Sequence, residues 1–152
     1  MIYNLELVFE EAVQNKVVSY ANKISQDLET DYILAENPHV RLIKFETENE
    51  ITQEFKEELE VEFTGLRLVP SKDEKTWVEI SVLQSEKIRE TIKEFCSLFP
   101  NIKIISNIDD KFRPHITLSR VKNQNNINIK ELNYKLLKSK FEAEVRLVVI
   151  KE

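Results

Sequence analysis

Two short segments of this chain echo each other, Pro38-His39-Val40-Arg41-Leu42 and Pro114-His115-Ile116-Thr117-Leu118. The sequence holds four prolines and two histidines, and each histidine directly follows a proline. A β-branched aliphatic, a polar residue and a leucine come next in both. The echo is 115 − 39 = 76 residues apart, half of the 152-residue length. That spacing predicts an internal duplication in which each half contributes one strand carrying one histidine. Successive side chains of a strand point to opposite faces, so His39 shares a face with Arg41, and His115 with Thr117. Val40, Leu42, Ile116 and Leu118 fall on the other face, where they can pack against helices.

Brought side by side, the two strands present two imidazoles flanked by a guanidinium and a hydroxyl. That set suits displacement at phosphorus. One neutral imidazole takes a proton from the attacking water or hydroxyl, and the other, protonated, gives one to the leaving oxygen. An unperturbed imidazole, with a pKa near ~6.5, supplies both forms near neutrality. Neighbouring donors hold the non-bridging oxygens as charge develops. The sequence assigns neither role to a particular histidine. The scheme needs no metal, and none is expected. The lone Cys96 can neither close an internal disulfide nor join a zinc-binding cysteine cluster.

Composition narrows the partners. Hydrophobic residues make up 41% and charged ones 32%, ordinary values for a folded soluble domain. No run of eighteen apolar residues occurs, and Met1-Ile2-Tyr3-Asn4-Leu5 lacks a basic segment followed by an apolar one. A membrane span and a secretory signal are therefore not expected, and a cytoplasmic monomer is. With 27 acidic against 22 basic residues the net charge is −5, the wrong balance for coating duplex DNA. A small substrate, or one end of a strand, fits better. A single glycine cannot supply a Gly-rich phosphate cradle, so ATP- and NAD-linked chemistry is not expected and no cofactor is called for.

Periodicity predicts the elements. Ile2 to Phe9 alternates as a strand, with Tyr3, Leu5, Leu7 and Phe9 on one side, and Glu11 to Glu29 has helical spacing. A second strand follows Pro38. Thr47 and Glu50 resemble a capping box, and Ile51, Phe55 and Leu59 predict a short helix behind it. Val61–Val69 and Thr76–Leu83 read as strands joined by a polar turn, followed by a helix over Ser85–Phe99. A short strand near Ile102–Ile105, a loop over Asn107–Lys111, a strand over Arg113–Val121 and a loop over Gln124–Asn128 come next. Residues 129–140 are compatible with either a helix or a strand, and Phe141 to Val149 alternates as a closing strand. Hairpin-short connections favour an α+β fold with an antiparallel or mixed sheet, in a single domain over residues 1–152.

The paired tetrads resemble the signature of the 2H phosphoesterase superfamily, in particular the group containing bacterial 2′-5′ RNA ligases and cyclic phosphodiesterases. The order of Phe63-Thr64-Gly65-Leu66-Arg67-Leu68-Val69-Pro70, Trp77-Val78-Glu79-Ile80-Ser81-Val82, a helix, and Phe112-Arg113-Pro114-His115-Ile116-Thr117-Leu118-Ser119-Arg120 is similar too. The resemblance covers nearly the whole chain. It implies a bilobal, duplicated fold around a central cleft with helices outside. It also implies hydrolysis of 2′,3′-cyclic phosphates or related nucleotide and RNA-end phosphodiesters, or 2′-5′ joining of RNA ends. By position, His39 and His115 correspond to the two catalytic histidines and Thr117 to a phosphate-binding hydroxyl. Arg41 stands where the family has threonine or serine; it can grip phosphate as a cation, select another substrate, or mark a cleft turned to binding alone.

Other residues have competing readings. Arg120 is a possible phosphate cation, but alternation points it away from His115 and Thr117. Arg113 and Lys111 can draw phosphate to the cleft mouth or be solvated loop charges. Tyr3 can stack a base or pack in the core. Gly65 suits a bulge or close backbone packing, Cys96 a buried position, and the acidic stretch Glu46–Glu62 a solvated helix face.

Overall fold

A computed structural model describes residues 1–71, 73–106, 112–122 and 139–151. Its elements run β1 (Ile2–Phe9), α1 (Glu11–Asp27), β2 (Thr30–Ile33), β3 (His39–Glu46), β4 (Glu57–Pro70), β5 (Thr76–Val82), α2 (Glu86–Leu98), β6 (Lys103–Ile104), β7 (His115–Val121) and β8 (Lys140–Lys151). Among the described residues the strands form one eight-stranded sheet in the order β2-β7-β5-β4-β8-β1-β3-β6. Every ladder among the described residues is antiparallel. The class is α+β, as the short connections imply.

Each flank of the sheet mixes both ends of the chain. β1 and β3 lie with β8 and β6, whereas β5 and β7 lie with β4 and β2. The two long strands join the flanks: Glu57–Glu62 of β4 pairs with Lys140–Val145 of β8, and from Phe63 onward β4 pairs with β5. The change of partner falls at a register shift between Phe63 and Gly65. Gly65 has φ of +132° and nothing within 4 Å of where a Cβ would sit. Backbone conformation rather than crowding therefore calls for glycine at this bulge.

Strand alternation and helical stripes meet in one core. Leu5, Leu7, Val40, Leu118 and Ile116 are fully buried, as are Val17, Ala21 and Ile24 along α1. α2 is capped by Ser85, whose hydroxyl accepts from the Ile88 amide, and it buries Ile88, Thr91, Ile92 and Phe95. Phe45 ties sheet to helix: its ring lies 5.5 Å from Tyr3 and 5.3 Å from Phe95. α1 rests on β7 and β2. No helix among the described residues is long and apolar enough to cross a membrane.

Two expectations are corrected. The helix predicted over Ile51–Leu59 is absent: residues 47–56 are irregular, and Leu59 already belongs to β4. The four-residue spacing of Ile51, Phe55 and Leu59 satisfies a helix, but Leu59, Val61 and Phe63 also alternate, and burial of that row prevails. The Thr47 hydroxyl donates to the Asn49 carbonyl instead of capping a helix. The acidic stretch Glu46–Glu62 consequently runs through loop and strand. The second correction is β2, a strand the pattern did not predict. The loops over 107–111 and 124–128, and nearly all of the ambiguous stretch 129–140, lie outside the described residues.

Candidate functional site

His39 opens β3 and His115 opens β7, each entered through a buried proline. Both rings are tethered alike. Nδ1 of His39 lies 3.0 Å from the Asn37 carbonyl, and Nδ1 of His115 lies 2.7 Å from the Arg113 carbonyl. A carbonyl oxygen only accepts, so Nδ1 carries the hydrogen in both rings and Nε2 is the nitrogen that can gain or lose a proton. Asn37 reaches its position with φ of 51°, a left-handed conformation asparagine tolerates better than most residues.

Each Nε2 meets a buried carboxylate from the neighbouring strand. His39 Nε2 is 3.3 Å from Glu6 Oε2, and His115 Nε2 is 3.0 Å from Glu79 Oε2. Glu6 is 7% and Glu79 5% exposed. The ladders explain the match. In the β1–β3 ladder Val8 faces His39 and Glu6 faces Arg41; in the β5–β7 ladder Ser81 faces His115 and Glu79 faces Thr117. A register shift precedes each glutamate, between Leu5 and Glu6 and between Val78 and Glu79.

The carboxylates are held differently. Glu79 Oε1 accepts from Arg67 Nε at 3.2 Å and Nη2 at 3.0 Å. Glu6 Oε2 accepts from the Asn4 amide at 2.9 Å. Sequence periodicity alone does not single out either glutamate. The signal was present, however: in Leu5-Glu6-Leu7 and Val78-Glu79-Ile80 a carboxylate interrupts an apolar strand, which demands a partner once buried.

Both histidines line one cavity of about 500 Å³, together with Arg41, Thr117, Arg113 and Asn4. Tyr32 and Trp77 form an aromatic wall. Among the described residues neither Arg41 nor Arg113 has an ion-pair partner, and both are exposed. The other candidates lie elsewhere. Tyr3 is 3% exposed in the core, where its hydroxyl accepts from the Ile51 amide. Arg120 donates to both oxygens of Asp31 at 2.8 Å and covers the Trp77 ring at 5.1 Å, so it supports the wall from behind. Lys75 adds a bond to Asp31 at 2.6 Å. These cations, Arg120 first, hold the Asp31 carboxyl far below the usual carboxylate range. Lys111 lies outside the described residues, and Cys96 is half-buried, its thiol pushed up by burial. No cluster of three or more metal-ligating side chains occurs among the described residues.

Neither protein-family models nor curated proteins give a match to this chain.

Proposed function

We propose that the chain is a metal-independent phosphodiesterase, acting on 2′,3′-cyclic phosphate or related nucleotide and RNA-end diesters, on a duplicated two-lobed fold of the 2H phosphoesterase type. The observation that carries the reading is the pair of imidazoles on one cavity, each tethered through Nδ1 so that Nε2 is the working nitrogen. The matching ladders, with a glutamate beside each histidine, support a duplicated origin for the two lobes. In the reaction, water attacks phosphorus and loses its proton to one Nε2. The P–O bond to the leaving sugar oxygen breaks, and the other ring protonates that oxygen through its own Nε2. Thr117 and Arg41 hold the non-bridging oxygens. The adjacent carboxylate stabilises whichever ring is positively charged.

The test is turnover of nucleoside 2′,3′-cyclic phosphates and short 2′-5′-linked oligonucleotides in the presence of EDTA, with His39→Ala and His115→Ala run alongside. Turnover is expected to survive EDTA and to fall by roughly 10²- to 10⁴-fold in each variant without loss of folding. Full activity in His115→Ala overturns the proposal. A second reading rests on Arg41, an exposed cation where a hydroxyl would match the second tetrad: the cleft is a phosphate or RNA-end receptor. It requires tight nucleotide binding with no turnover, and turnover gained in Arg41→Thr.

A further inference from the structure

Arginines of this chain fall into two groups. Arg67, Arg120 and Arg146 each pair with a carboxylate, at 3.0, 2.8 and 3.0 Å. Among the described residues Arg41, Arg89 and Arg113 have no such partner, and two of these three line the histidine cavity. In a chain with 27 acidic residues against 22 basic, carboxylates are plentiful, so two guanidiniums without a carboxylate partner among the described residues favour anions in one cavity.

The two cations do not stand at equivalent places. Arg41 lies two residues after its histidine, in the ladder position that Thr117 holds beside His115. Arg113 lies two residues before its histidine, and the matching residue beside His39 is the neutral Asn37. A diester lying between the imidazoles carries a single charge, which Arg41 and Thr117 suffice to bind. Arg113 is left over, lining the same cavity two residues before His115. A cavity of about 500 Å³ has room for more than one phosphate group.

We infer that the ligand carries a second phosphate beside the diester held between the histidines, and that Arg113 binds it. The inference rests on the proposed phosphodiester site. The second anion is either a phosphomonoester on the same nucleotide or the next internucleotide diester of a chain end; both present the oxygens that a guanidinium fork recognises.

Binding, not turnover, tests this. Affinities are measured calorimetrically for adenosine 3′-monophosphate, adenosine 3′,5′-bisphosphate and the dinucleotide ApAp, whose internal diester supplies the second anion. At least one of the last two is expected to bind about tenfold more tightly than the monophosphate, the gain of one charge-assisted contact. A gain for the bisphosphate alone identifies a monoester, and a gain for ApAp alone identifies a chain end. Arg113→Gln is expected to abolish the gain, Arg41→Gln to weaken all three ligands, and Arg89→Gln, which removes the same charge from α2, to keep the gain. Equal affinities in the unaltered protein, or a gain that persists in Arg113→Gln, overturn the inference. If the gain is seen but no diester is turned over, the catalytic reading fails and the two-phosphate site stands.

Discussion

In the β5–β7 ladder a guanidinium holds the carboxylate that meets the histidine; in the β1–β3 ladder a neutral amide does. The backbone plan is nevertheless the same. Arg67 of β4 is the ladder partner of Glu79, and Arg146 of β8 is the ladder partner of Glu6. Only Arg67 turns to its glutamate. Arg146 donates instead to Glu144 at 3.0 Å, two residues back on its own strand and on the same face. The residue two back from Arg67 is Gly65, which has no side chain to compete. One local choice, glycine or glutamate, thus decides whether the arginine reaches across the ladder. Equal backbone geometry does not give equal electrostatics.

The sharpest way to break this comparison is to neutralise each carboxylate in turn. Glu79→Gln loses the charge-assisted bonds from Arg67 and the carboxylate beside His115, and is expected to cost about 2 kcal/mol of stability. Separately, loss of the carboxylate that positions His115 is expected to lower kcat/KM by roughly 30-fold, a transition-state loss of about 2 kcal/mol. Glu6→Gln loses the carboxylate beside His39 and keeps a polar partner in Asn4, so about 1 kcal/mol and less than tenfold are expected. Denaturant unfolding and initial rates measure both. Equal penalties at the two sites mean that Arg67 adds nothing to its ladder.

A smaller effect tests why the ladders differ. Removing the competitor with Glu144→Ala releases Arg146, and the cost of a subsequent Glu6→Gln is then expected to rise toward that of Glu79→Gln. The double-mutant cycle reads this directly. Strict additivity of the two substitutions means Arg146 does not turn to Glu6 when freed, and the glycine explanation falls.

These contacts show what the sequence could and could not reveal. Four residues of the cavity, His39, Arg41, His115 and Thr117, are legible because each pair sits two apart in one strand, and alternation alone puts them on one face. Glu6 and Glu79 stand 39 − 6 = 33 and 115 − 79 = 36 residues from their histidines, and only ladder register unites them. Register depends on bulges at Leu5/Glu6 and Val78/Glu79 that leave no mark in a single sequence. The alternating strands were equally plain, whereas β2 was not. Thr30-Asp31-Tyr32-Ile33 is short and exposed at the sheet edge, and its fit comes from what Asp31 binds rather than from any apolar pattern.

That edge gives the smallest effect and the last contrast. β2 is fastened to β7 by Asp31, Arg120 and Lys75, while no ion pair crosses from β3 to β6 among the described residues, where the Lys44 amide donates to the Ser106 hydroxyl. Because the Asp31 carboxyl is held far below its ordinary range when folded, its contribution is fully present above that ordinary range. It is lost as pH falls through the depressed folded value. Arg120, pushed up by the same contact, stays charged throughout. Acid should therefore loosen β2 selectively and, through Arg120, the Trp77 wall of the cavity. Hydrogen exchange, corrected for intrinsic rates, follows the Leu34 amide, which donates to Leu118, and the Ile105 amide, which donates to Lys44, as pH is lowered from neutrality. Protection at Leu34 is expected to fall while that at Ile105 holds, and in Asp31→Asn Leu34 should be less protected at neutral pH, with an acid response reduced to what Asp73 alone contributes beside Arg120 and Lys75. An undiminished acid response in Asp31→Asn would move the pH sensitivity to another group and leave the two edges fastened alike.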